Sequence, residues 1–148
     1  MTATNHTLTG AVIGALIPIP ILAIPVAFLS HFVLDALPHF DDNSGHTNKM
    51  FLYYLAADCG FAASILLSLM ILQPENWALM VACGIASASP DLMWFPMWLK
   101  EISGKKPNPM GPVRRFHSKI QWAANKRGIL LEIPWFFSMM IALFALMV

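Results

Sequence analysis

The run Gly10-Ala11-Val12-Ile13-Gly14-Ala15-Leu16-Ile17-Pro18-Ile19-Pro20-Ile21-Leu22-Ala23-Ile24-Pro25 decides how this chain folds. It lies within an apolar region from about Thr7 to Leu37, longer than the roughly 20 residues that one ordinary membrane span requires. Pro18 and Pro20 interrupt that region, because each lacks an amide N–H and carries a ring that clashes with the preceding turn. The pattern predicts a short helix over Asn5–Ile17, a sharp turn, and a second helix over Ile21–Leu37 with a kink at Pro25. Gly10 and Gly14 form a GxxxG pair flanked by Ala11 and Ala15, a small-residue stripe against which another helix can pack closely. A single long tilted span is the alternative.

Downstream, a polar loop over Asp41–Asn48 leads to a clean predicted span over Lys49–Leu72. Gln73–Asn76 reads as a tight turn, with Pro74 placed to open the next helix. That helix runs over Trp77–Trp98 and contains Pro90 and Pro96, so a break is expected near Ser87-Ala88-Ser89-Pro90-Asp91. Ser103–Pro112 is a Gly/Pro/Lys loop. Arg114–Lys126 reads as a short amphipathic helix on the membrane surface, anchored by Phe116 and Trp122. Gly128–Val148 is the last span. The fold class expected is all-α: one integral-membrane domain over residues 1–148, a bundle of about five hydrophobic helices with an N-terminal hairpin and a broken helix near Pro90.

Composition agrees with that class. Hydrophobic residues make up 57% of the chain and charged residues 11%, the balance of a polytopic membrane protein. Eight of the nine Lys and Arg residues fall between Lys100 and Arg127. The positive-inside rule therefore puts this loop in the cytoplasm, and counting spans back through a hairpin puts the N-terminus inside and Val148 outside, in a prokaryotic cytoplasmic membrane. No Lys or Arg precedes the first apolar stretch, so no cleavable signal peptide is expected. Cys59 and Cys83 sit in apolar runs without a spaced motif and read as small packing residues. Membrane lipid is the expected partner and nucleic acid is not; the oligomeric state is not legible.

Ionisable side chains are costly inside such a protein, which makes them informative. His31 and Asp35 are four residues apart and share one helix face, and His39 follows just past Pro38. Asp91 stands at the Ser-Pro-Asp break, where freed carbonyls must face protein or water; its bland role is a helix cap. Asp58 lies deep in its span and needs a partner. His6 and His117 are weaker candidates singly, and Glu132 could snorkel, pair with Arg127 or join a site. Asp41 and Asp42 read as solvated loop charges, with Asp41 in reach of a nearby metal, and His46 as incidental. The expected metal ligands are His6, His31, Asp35, His39, Asp91 and His117, with Asp58 and Glu132 as candidate catalytic bases. Imidazole with carboxylate suits a divalent metal, zinc first, then manganese or iron, as one or two ions.

Asn5-His6-Thr7-Leu8-Thr9-Gly10, His31-x3-Asp35, Ser89-Pro90-Asp91 and Phe116-His117-Ser118 together resemble the membrane-bound metal-dependent hydrolases of bacteria and archaea, the family that includes the LexA-regulated inner-membrane proteins. That family often carries a further histidine shortly after its Pro-Asp; here Asp91 is followed by Leu92, Met93 and Trp94. His31-x3-Asp35 also resembles an element of the soluble zinc-dependent phospholipase C and single-strand nuclease group. The function expected is a membrane-embedded, metal-dependent hydrolase acting at the cytoplasmic face on a phosphoester of a lipid or lipid-linked substrate. A small transporter or ion-binding protein, and a non-catalytic membrane scaffold, are the alternatives.

Overall fold

A computed structural model describes residues 1–41, 48–106 and 109–148. Asp42 and His46 lie outside the described residues. Among those described, regular structure is entirely helical. The seven α-helices are α1 (Ala3–Leu16), α2 (Pro20–Asp35), α3 (Lys49–Leu72), α4 (Trp77–Ala88), α5 (Phe95–Ile102), α6 (Pro112–Ile120) and α7 (Ile129–Met147). Three continuous helical stretches are long and apolar enough to cross a membrane: Lys49–Leu72, Trp77–Ile102 and Lys126–Met147. α2 is apolar but shorter, at 16 residues.

The hairpin forms at the prolines. α1 ends with Ile17 in an extended conformation, Ile19 is extended as well, and Pro20 opens α2 at a position where a missing N–H costs nothing. His6 Nε2 consequently lies 3.0 Å from Asp35 Oδ1. A straight helix would separate residues 6 and 35 by about 43 Å, so a single tilted span is excluded.

α1 is the hub of the bundle. It packs on α2, α3, α4 and α7, and buries Thr4 through Val12 together with Gly14. The glycine stripe makes its closest contact possible: a Cβ on Gly10 would fall 2.3 Å from Cys83 O, and one on Gly14 would fall 2.7 Å from Met80 Cα. Leu8, Ala11, Val12, Leu69, Met80 and Leu143 form the apolar core around it. α3 and α7 instead leave most of their apolar side chains facing outward, as expected of surfaces against lipid. Both cysteines are free, Cys83 buried in the α1–α4 contact and Cys59 exposed.

The break after α4 follows from Pro90. Without an N–H, Pro90 cannot bond the carbonyl of Ala86; the Ser89 hydroxyl donates to that oxygen at 2.9 Å. Ser89–Trp94 continues as a 3-10 helix before α5 resumes with Pro96 in its first turn. The surface helix is shorter than the predicted Arg114–Lys126. α6 stops at Ile120 and gives way to a 3-10 turn, Gln121–Ala123. Beyond it the chain pairs with the segment after α2, Asn125 N–H donating to His39 O at 2.9 Å. Phe116 and Trp122 are both exposed.

Candidate metal centre

Three elements bring four polar residues to one end of the bundle. α2 supplies His31 and Asp35 from one face, the broken helix supplies Asp91, and α6 supplies His117. One ligand atom from each lies within 4.8 Å of the others. His31, Asp35 and His117 are fully buried, whereas the Asp91 side chain is 37% exposed and gives the group its opening. This buried His/Asp group could hold a metal ion.

The helix break orients His31. A 3-10 turn reaches back three residues where an α-helix reaches back four, so carbonyls at the junction lose their regular partners. His31 Nδ1 donates to Ser87 O at 2.8 Å. With the proton on Nδ1, the lone pair of His31 lies on Nε2, the tautomer that a metal ligand needs. That Nε2 sits 3.3 Å from Asp35 Oδ2 and 3.6 Å from Asp91 Oδ1. Ligands on arms of about 2.1 Å around a tetrahedral ion stand about 3.4 Å apart, so these two separations suit a shared ion.

Asp35 is the centre of the group. Its Oδ1 accepts from the Met1 amine and from His6 Nε2, and its Oδ2 from His117 Nε2 at 2.8 Å and Gln121 Nε2 at 3.0 Å. His6 is fully buried and stacks on His31 with ring centroids 4.0 Å apart. Its Nδ1 has no hydrogen-bond partner among the described residues. His6 therefore lines the site, touching Asp35 and His31 without being one of the four residues that could share an ion.

The remaining predicted residues are placed elsewhere. His39 is buried, with Nδ1 donating to Leu37 O at 2.9 Å, and its backbone crosses Gly128 so closely that a Cβ there would fall 1.9 Å from His39 C. Asp41 donates its backbone N–H to Asn125 O at 3.3 Å. Asp58 and Glu132 are drawn to the first turn of α1. Asp58 accepts from Ala3 N at 2.7 Å, Thr4 N at 2.9 Å and Thr4 Oγ1 at 2.6 Å. Glu132 accepts from Thr2 N at 3.1 Å, Asn5 Nδ2 at 3.2 Å and Phe40 N at 2.9 Å. These carboxylates take up amides that a helix start leaves without partners, at the end where its dipole favours negative charge.

Two residues of the site were not singled out from sequence. Gln121 follows His117 by four residues, so the same spacing that linked His31 to Asp35 could have found it. Trp94, three residues after Asp91, donates its indole N–H to His117 Nδ1 at 3.0 Å; no pattern in the sequence marks it. Together, an all-helical bundle with spans long enough for a membrane and a buried His/Asp group define a candidate membrane metalloprotein. Comparison with protein-family models, curated proteins and solved structures gives no match.

Proposed function

We propose that this chain is a membrane-embedded, metal-dependent hydrolase that cleaves a phosphoester of a lipid or lipid-linked substrate at the cytoplasmic face. The observation that carries the reading is the buried His31–Asp35–Asp91–His117 group at one end of a helical bundle, with Asp91 open to the outside. His31 Nε2 and the carboxylates of Asp35 and Asp91 are the donors that would hold the ion, zinc first, with manganese or iron as the other candidates. Such an ion polarises a phosphoryl oxygen and acidifies a water when bound. A catalytic site of this kind keeps part of its coordination free for substrate, and the exposed side of Asp91 is where that substrate would enter.

The surroundings support a lipid phosphate. A groove of about 230 Å³ lies beside the broken helix, lined by Met93, Pro96, Met97, Lys100 and Arg114. Methionine and proline suit an acyl or prenyl chain, and the cations suit a phosphate next to it. Arg115 and Lys119 of α6 are exposed alongside. With the basic loop inside the cell, the α1–α2 hairpin and the three long apolar helices make up the bundle of about five hydrophobic helices, and this reading agrees with the membrane-bound hydrolases that the motifs resemble.

Purified protein should carry near-stoichiometric zinc, manganese or iron, and it should release phosphate or phosphomonoester from lipid phosphates in detergent. Metal-replete protein that cleaves no phosphoester across a broad lipid panel defeats the hydrolase reading. Ion flux in sealed vesicles without turnover would replace it with transport.

A further inference from the structure

We propose that Trp94 makes His117 a hydrogen-bond donor to the site rather than a metal ligand, by holding the imidazole proton on Nε2. The inference rests on the metal reading above for the identity of the ion's neighbours, but not for the position of the proton.

An indole N–H can only donate. It stands 3.0 Å from His117 Nδ1, so Nδ1 offers its lone pair there and the ring proton resides on Nε2. The indole also stacks on the imidazole, with centroids 5.7 Å apart and planes 30° from parallel, which fixes the ring's orientation. His117 Nε2 faces two acceptors. Asp35 Oδ2 lies at 2.8 Å and His31 Nε2 at 3.0 Å, and His31 has its lone pair on that nitrogen because its own proton points to Ser87 O. One proton on His117 Nε2 satisfies both contacts.

The distances divide the group in two. His31 stands from Asp35 and Asp91 at 3.3 and 3.6 Å, separations that suit ligands of one ion. His117 stands from Asp35 and His31 at 2.8 and 3.0 Å and from Asp91 at 3.9 Å; the two short separations are hydrogen-bond lengths, below the edge of about 3.4 Å that a tetrahedral zinc ion sets between its ligands. Recruiting His117 Nε2 as a ligand would move its proton to Nδ1, directly against the indole N–H. His117 therefore presents an N–H to the space beside the ion, where an anionic phosphoryl oxygen of a substrate would receive it. Trp94 is a positioning residue that acts through His117.

The test is the proton itself. Long-range proton–nitrogen correlation spectra of protein labelled with nitrogen-15 histidine, in detergent micelles, distinguish the two tautomers, with His117→Gln assigning the signal. The expected result is an Nε2–H tautomer at His117 both metal-free and after adding zinc, while His31 is Nδ1–H and its Nε2 signal moves on zinc binding. An Nδ1–H tautomer at His117 in the metal-free protein overturns the proposal. Zinc titration gives the second arm: His117→Gln should weaken zinc binding less than about threefold in the parent but about tenfold or more in a Trp94→Phe background, where the imidazole is free to turn its proton. A tenfold loss in the parent overturns the proposal. Absence of zinc binding in the parent would instead sink the metal reading, and the metal-free spectrum alone would then decide Trp94's role.

Discussion

Two groups of carboxylates stand within one helical bundle, and their partners separate them. Asp58 and Glu132 are surrounded chiefly by backbone amides of the N-terminal segment and α1. Asp35 is surrounded by imidazoles, an amide side chain and the Met1 amine, with half-exposed Asp91 beyond. Backbone donors are fixed by the fold, so a carboxylate that satisfies them acts as an anchor. Imidazoles can exchange a proton for a metal ion, so a carboxylate among them belongs to a site. Placement in or beside an apolar span does not by itself tell the two kinds apart.

The largest effect is expected at Asp35. Asp35→Ala leaves His6, His117 and Gln121 without their common acceptor, and loss of one partner from a buried charged group costs about 3–5 kcal/mol. The variant should lose bound metal and also unfold at a markedly lower temperature in detergent. Asp35→Asn keeps the shape and should lose metal with a smaller loss of stability. Full metal content in Asp35→Asn would remove the carboxylate from the site.

Asp58→Asn should behave in the opposite way. The amide can still accept through its oxygen, but its NH2 group faces either the Ala3 N–H or the Thr4 donors, according to which oxygen it replaces, and charge-assisted bonds of this kind contribute about 1.5–3 kcal/mol. Thermal stability should fall by an amount within that range while metal content stays near that of the parent. Glu132→Gln should do the same with a smaller loss, because two of its three bonds, to Thr2 at 3.1 Å and Asn5 at 3.2 Å, are longer than any that the Asp58 carboxylate makes to Ala3 and the Thr4 N–H and hydroxyl. Either variant that keeps both fold and metal yet loses all turnover would restore that carboxylate as a general base and erase the distinction between anchor and site.

Much of this arrangement is written in local sequence. Pro18 and Pro20 dictate the hairpin, Gly10 and Gly14 the α1–α4 contact, and Pro90 the helix break, because each rule acts within a turn or two of its residue. His31 and Asp35 were paired by helical spacing alone. What local rules miss is the partner across space. Asp58 and Glu132 look like bases because nothing near them in sequence announces that the start of α1, 54 and 127 residues away, will take up their oxygens. α1 itself shows the same limit: Thr4, Asn5 and His6 are polar residues at a helix start, yet all three are buried, since their partners come from α3, α7 and α2. Trp94 lies 23 residues from His117, and its part in the site depends on the packing of two separate elements.

The smallest expected effect tests what orients the metal-binding imidazole. Ser87 is buried and offers two groups: a carbonyl that accepts from His31 Nδ1, and a hydroxyl 3.2 Å from Ser30 Oγ. Ser30 already donates to Ala27 O at 2.7 Å, so the proton between the two hydroxyls comes from Ser87. Ser87→Ala deletes that donor without stranding another, and leaves the carbonyl in place because it belongs to the helix break. The loss in stability should be about 0.5–1 kcal/mol, with zinc affinity changed less than about twofold, since the group that sets the tautomer of His31 is untouched. Pro90→Ala acts on the other half of the contrast. A restored N–H lets α4 continue and draws the carbonyls at the break back into the helix, so His31 should lose its acceptor and zinc affinity should fall more than in Ser87→Ala. Equal affinities in the two variants would mean that the break does not orient His31, and that the site is held by side-chain contacts alone.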